Sequence, residues 1–446
     1  MSERAEKILK PFRDNKAYME DRIQSGIEAN RKGFARFSFV DEQGNAVENV
    51  QLEIHQITHD FRFGCNIFML DELETEEKNV AYKERFKELF NLATLPFYWS
   101  DLEPEEGKVR FDKDSPKVYR RPAPDLCLEF CRENNIEPKL HCLNYDQWSP
   151  KWLPYDVPTV KKCLDKRIAQ IAERYSEQIP SMEVINETLC SYHVRDYGHS
   201  TRFFFEPDIV EWSFEHSRKY LPTNKLIINE ATEHCWVQGF KYNRSAYYMQ
   251  IERALLKGAS IDSIGMQYHA FYRREAEQAS TRTLYDPKRI YQVMDQYADF
   301  GKPLQVTEVT IPAYSMEAED ELVQAEIITN LYKMWFSHPN MEAIIYWNLV
   351  DGYAAFAKQG DMSSGENYYC GALLRFDMTP KPAYYALDEL INKTWRTNIS
   401  DEAQNGSFEM KGFYGEYEVT ATVGGKTTTV KVHLEKNADN EFTIVL

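Results

Sequence analysis

Two short stretches of this chain each carry a β-prone run into a carboxylate. In Ser181-Met-Glu-Val-Ile-Asn-Glu187, the apolar residues Met182, Val184 and Ile185 lead directly into Asn186 and Glu187. Leu304-Gln-Val-Thr-Glu308 has the same grammar. Each reads as a buried strand that delivers an acid to the point where it meets solvent. Acids so far apart in the chain meet only if the fold gathers distant strand ends. A closed ring of parallel strands does this, because its site collects residues from the C-terminal ends of several strands. A facing pair of carboxyls suits glycoside hydrolysis, one protonating the leaving oxygen and the other attacking or activating water. Either acid alone reads as an ordinary strand-end carboxylate, so the chemistry rests on the pair.

For double displacement one of the two carboxyls is expected to be ionised among hydrogen-bond donors. The other is expected to start protonated, its pKa raised by the neighbouring carboxylate and by partial desolvation. A retaining pair sits about 5–5.5 Å apart, closer than an inverting one. No metal or organic cofactor is required.

The elements that must hold such a pair are legible in the hydrophobic pattern. Candidate strands are Phe61–Asn66, Asn91–Leu95, Glu137–Leu143, Ser181–Asn186, Lys225–Asn229, Ser263–Gln267, Pro303–Thr307 and Met341–Leu349. Helical spacing fills the gaps, most clearly at Val160, Cys163, Leu164, Ile168, Ile171, Ala172 and Tyr175. Eight such units predict an α/β fold, a (β/α)8 TIM barrel, over residues 59–395. A doubly wound sheet would also alternate, but no Gly-rich phosphate loop follows the first strand. Residues 1–58 read as a helix followed by strands. Residues 396–446 read as a hairpin about Gly424-Gly425 and a last strand. The two ends are expected to pair into one small β-rich accessory domain, with two separate β-units as the alternative.

Composition narrows the partners. A net charge of -17 argues against nucleic acid or an anionic membrane. No run of about 20 apolar residues offers a membrane span. The charged start, Met1-Ser-Glu-Arg-Ala-Glu, lacks the apolar segment of a secretory signal, which predicts a cytoplasmic protein unless a leader has been trimmed. The eight cysteines show no zinc-like pairing and are expected to be reduced, with Cys127 and Cys131 in the core. At 14% aromatic the chain can supply sugar-stacking platforms, although core packing is the commoner use.

Taken in order, the predicted strand ends deliver His141, Asn186-Glu187, Asn229-Glu230, Gln267-Tyr-His269, Glu308, and Trp347-Asn-Leu-Val-Asp-Gly352. With Phe61-Arg-Phe-Gly64, Trp99-Ser-Asp-Leu-Glu-Pro-Glu-Glu-Gly107, Pro150-Lys-Trp152 and Lys381-Pro-Ala-Tyr384, this series resembles glycoside hydrolase family 10, best known for endo-β-1,4-xylanases. The resemblance covers roughly residues 60–393. It implies a retaining β-glycosidase with Glu187 as acid/base and Glu308 as nucleophile, acting on an oligosaccharide or glycoside. It further implies that Asn186 and Gln267 bind the reacting sugar, that His269 orients Glu308, that Trp347 floors the cleft, and that His141 and Trp99 contact substrate.

The chain also departs from that pattern. The family's second-strand signature is Asn-Glu-x-Lys-Trp; here Leu95-Pro-Phe-Tyr-Trp99 keeps only Trp99. After the third strand stand Tyr145 and Asp146. A site that loses groups built to bond hydroxyls loses discrimination for them. The expected substrate is therefore a decorated oligosaccharide or small glycoside, with exo-type action an alternative to endo. From another class, a saccharide-binding protein with weak turnover fits the same changes. The polar loop from Tyr192 to Arg202 reads as solvated surface.

Overall fold

A computed structural model describes residues 3–190 and 201–446; the polar loop expected from Tyr192 falls largely outside them. In chain order the strands are β1 (Lys32–Val40), β2 (Val50–Gln56), β3 (Arg62–Asn66), β4 (Leu92–Pro96) and β5 (Glu137–His141). There follow β6 (Ser181–Asn186), β7 (Lys225–Glu230), β8 (Ser263–His269), β9 (Leu304–Thr310) and β10 (Met341–Tyr346). The last five are β11 (Asn398–Ala403), β12 (Ser407–Phe413), β13 (Gly415–Val423), β14 (Lys426–Leu434) and β15 (Glu441–Val445).

Strands β3 to β10 close into a parallel barrel in sequence order, β10 pairing with β3. The chain is a (β/α)8 barrel with β-rich sheets attached. Its helices begin where local chemistry starts them. Thr75 accepts from the Lys78 amide at the head of Glu76–Leu89, and Asp156 accepts from the Thr159 amide at the head of Val157–Tyr175, with Pro158 in the first turn. Val160, Leu164, Ile168, Ile171, Ala172 and Tyr175 are buried against the barrel, on one face of that helix.

The strands from the two chain ends form two further sheets, β12-β1-β15 and β11-β2-β13-β14. Each draws on both ends of the chain. Their facing residues, among them Phe37, Phe39, Leu52, Ile54, Val419 and Ile444, make one separate core. The N-terminal helices do not join it. Ile8, Leu9, Phe12, Met19 and Ile23 belong to the barrel's core. Gly26 lets the helix Lys16–Asn30 approach closely, since a Cβ there would lie 2.5 Å from the Ser337 carbonyl oxygen. All eight cysteines are free, with Cys127 and Cys131 buried. No helix among the described residues is long and apolar enough to cross a membrane.

Register decides what the barrel mouth contains. Asn186 on β6 pairs with Asn229 on β7, and Gln267 on β8 stands opposite Glu308 on β9 after an irregularity at Met266/Gln267. Each irregularity shifts the alternation by one residue and re-aims a side chain, as bulges beside active sites do.

Candidate active site

Glu187 is the first residue beyond β6, and its backbone leaves the strand sharply. Its amide donates to the Asn229 carbonyl at 3.2 Å, and its φ of 53° lies in the left-handed region. A non-glycine residue held there is strained, and the surrounding strands must enforce the conformation. The result is a half-buried carboxyl that points over the barrel mouth. Oε1 accepts from Gln267 Nε2 at 2.8 Å, and Oε2 accepts from the Tyr145 hydroxyl at 2.6 Å.

Glu308 lies deeper, inside the last turn of β9. Its Oε1 accepts from Asn229 Nδ2 and Gln267 Nε2, both at 3.0 Å, and its Oε2 lies 3.1 Å from His269 Nε2. Burial holds the His269 imidazole down at about 4, so the ring is neutral at physiological pH. Nδ1 then accepts from the Thr310 hydroxyl at 2.9 Å, which leaves Nε2–H to donate to Glu308. Phe271 stacks on the ring with centroids 4.5 Å apart.

Gln267 thus reaches both acids with one amide nitrogen. The two carboxylate oxygens can be no farther apart than its 2.8 and 3.0 Å bonds laid end to end. That bound on the nearest oxygens accommodates the roughly 5–5.5 Å retaining arrangement.

Beneath the acids the barrel interior is charged. Lys139 and His141 from β5 both contact Glu183 from β6, and all three are fully buried. Burial works against ionising Glu183, but Lys139 and His141 outweigh it and hold the carboxyl at about 2. His141 is raised in turn; burial opposes its charge, and Glu183 overcomes it. Asn229 Nδ2 links this group upward, 3.3 Å from Glu183 and 2.9 Å from Asn186 Oδ1. Room for Asn229 comes from Gly265, where a Cβ would lie 2.6 Å from Asn229 Oδ1.

The expected charge states meet an opposing force here. Burial first, with the nearby Glu183 and Glu187 adding to it and His141 pulling back, pushes Glu308 up to about 8. Its three donors favour the ionised form against that push.

A cavity of about 720 Å³ opens above the acids, lined by His141, Asn186, Glu187, Gln267, His269, Glu308 and Trp347. Seven of the eight residues singled out in the sequence therefore share one chamber. Trp99 does not. Its ring is buried against Trp152, and its Nε1 donates to Glu103 Oε2 at 2.8 Å, so it braces the loop after β4 instead of touching the cavity. His141 reaches the wall with both nitrogens engaged, Nδ1 on Glu183 and Nε2 donating to the Tyr98 hydroxyl at 3.1 Å. Tyr98 fills the wall that Trp99 was expected to form. With Phe68 and Trp347 it makes a small aromatic cluster, against which Tyr145 and Trp148 pack.

Tyr145, Asn229, Tyr98, Arg120 and Glu366 were not singled out by sequence pattern as site residues. Asn229 had the same strand-end signal as Asn186. The others sit in loops, where no periodicity marks a side chain that faces inward. Among the described residues two groups have donor atoms close enough for a metal, His141/Glu183/Glu308 and Cys190/Glu230/His234. The first is already neutralised by Lys139, and neither is needed for two-carboxylate chemistry.

Comparison with known proteins bears on the family and the fold. The sequence profile of glycosyl hydrolase family 10 matches residues 56–390. Anti-sigma-I factor RsgI6 of Acetivibrio thermocellus is 23% identical over 418 residues, covering 91% of this chain and 47% of its own length. Endo-1,4-beta-xylanase B of Neocallimastix patriciarum is 22% identical over 283 residues, covering 63% of this chain and 30% of its own. The chain thus spans less than half the length of these two curated relatives. Among solved structures, xylanase 10B from Thermotoga petrophila RKU-1 in complex with xylobiose superposes with a TM-score of 0.58 at 22% identity, over 75% of this chain and 95% of that one. TsXylA, the intracellular xylanase from Thermoanaerobacterium saccharolyticum, gives 0.55 at 19%, over 73% and 95%. At such identities the superpositions establish the fold.

Proposed function

The chain belongs to glycosyl hydrolase family 10, and from that premise we propose that it hydrolyses β-linked, xylan-related saccharides with retention, Glu187 serving as acid/base and Glu308 as nucleophile. The observation that carries this reading is the single Gln267 amide bonded to both carboxyls. In the first step Glu187 donates its proton to the leaving oxygen while Glu308 attacks the anomeric carbon from the opposite face. Asn229, Gln267 and His269 hold Glu308 in line and favour its ionised form. Once Glu308 is esterified its charge is gone. Glu187, with the Tyr145 hydroxyl 2.6 Å away, then accepts a proton from the incoming water.

The test uses aryl β-xyloside and β-glucoside with wild type, Glu187→Ala and Glu308→Ala. Turnover should fall in both variants. Azide should restore it, yielding the β-glycosyl azide with Glu187→Ala and the α-azide with Glu308→Ala. The opposite anomers would reverse the roles, and no azide product from either would remove them.

A second reading, a saccharide-binding protein of weak turnover, is favoured by one contact. The His141 nitrogen that would face a sugar is already bonded to Tyr98. Wild-type protein that binds xylo-oligosaccharides and never releases an aryl leaving group would establish this reading in place of the first.

A further inference from the structure

Two consecutive arginines line the cavity, and they differ in how their charge is met. Both are nearly buried, each 6% exposed. Arg121 Nε donates to Asp101 Oδ2 at 2.7 Å, and its guanidinium lies 4.0 Å over Tyr98 and 4.7 Å over Trp148. Its charge is answered. Arg120 has only neutral acceptors, Asn348 Oδ1 at 3.3 and 3.4 Å and the Tyr353 carbonyl, and its buried Nε has no hydrogen-bond partner among the described residues. Glu366 lines the same cavity and is the chief countercharge on Arg120, but it accepts its hydrogen bonds elsewhere, from Asn348 Nδ2 at 3.3 Å and the Ala355 amide at 3.4 Å.

A desolvated guanidinium whose charge is met only through space by Glu366, with no carboxylate hydrogen-bonded to it among the described residues, is a costly arrangement that a ligand carboxylate would relieve. The planar fork of arginine suits a carboxylate in a way that a lone sugar hydroxyl does not, since it offers two parallel N–H donors and a full countercharge. Resting on the saccharide-cleft reading above, we propose that the cavity seats an acidic saccharide, a uronic acid residue whose carboxylate docks on Arg120. This residue would set specificity; it takes no part in bond cleavage. A backbone φ of 62° at Arg120 holds the side chain on the wall by an unusual local conformation.

Calorimetry on Glu308→Gln protein separates binding from turnover. The probes are xylotriose bearing one glucuronic acid and the methyl ester of the same compound, which keeps the shape and removes the charge. The acid should bind at least tenfold more tightly than the ester. That margin should vanish when Arg120→Met is added and survive in part with Arg120→Lys. Equal binding of acid and ester by protein with Arg120 intact, failure of both probes to bind, or a preference that persists in Arg120→Met would each overturn the proposal. The first comparison needs no Arg120 variant, so misfolding of the variant cannot rescue or sink it. Aryl xyloside turnover by wild type reports separately on the hydrolase reading. Turnover without acid preference overturns the uronate site alone, and acid preference without turnover overturns the hydrolase alone.

Discussion

Glu187 and Glu308 receive different treatment from the fold, and that difference makes predictions. Glu308 is enclosed and pushed up to about 8 by burial, so below that value its carboxyl tends to hold a proton. Double displacement needs one acid protonated and the other ionised. Glu308 is the acid that must be ionised to attack, so kcat/KM should rise as pH climbs through about 8 in a pH–rate profile of aryl xyloside hydrolysis. Tyr145→Phe removes the hydroxyl from Glu187 Oε2 and should lower kcat by roughly tenfold, the worth of one hydrogen bond to a charged group at about 1.5 kcal/mol. The loss should be larger for substrates with poor leaving groups, whose departure depends most on the acid. Glu230 supplies a stability test. Burial raises its carboxyl to about 8, although the Leu189 and Ala231 amides both donate to it. Because the folded state holds that proton more tightly, the associated stability is complete below the ordinary carboxylate range, near 4.5. It is lost as pH climbs through about 8. Thermal melts should show a decline over that window in wild type and a flatter profile in Glu230→Gln.

At the scale of elements, the two acid-bearing strands were legible because each had a simple apolar run ending in a carboxylate. Register was not legible. The irregularities that aim Gln267 and the residues after Glu183 leave no mark in a period-two pattern. Trp99 shows the same limit. A tryptophan at a strand end reads as a platform, but a turn placed Tyr98 inward and sent Trp99 into the packing beneath the loop. Trp99→Phe should lower stability and leave KM unchanged, whereas Trp347→Ala should raise KM. Between β5 and β6, Lys139 and Glu183 form a fully buried pair. Lys139→Met leaves the buried Glu183 charge with His141 alone and should destabilise by about 3 kcal/mol in denaturant titration, an amount partly recovered when Glu183→Gln is added. Gly265→Ala should displace Asn229 by steric contact, and activity should drop well before the melting temperature does.

Across the whole molecule, barrel and accessory sheets were both legible, from eight alternating units and from strand-rich ends. The N-terminal helices were harder to place, since an amphipathic stripe says that a face is buried and does not say against what. Deleting residues 396–446 would strip the partners from β1 and β2 and expose Phe37, Phe39, Leu52 and Ile54. At about 1.5–3 kcal/mol for each large side chain returned to water, the accessory core should not survive. The truncated protein should bind a hydrophobic dye or precipitate, while the full chain should not.

The closing of the accessory sheets also imposes an order of events on the ribosome. β1 finds its partner β12 only after most of the chain has emerged; Arg36 and its ion-pair partner Glu409 are 373 residues apart. At the usual pace of translation that is a wait on the order of tens of seconds. During that interval an alternating strand with open edges and an unclaimed greasy face stays tethered to a barrel that is folding beside it. Anything in the cell that shields such a strand during synthesis should raise the yield of this protein more than it alters its final stability.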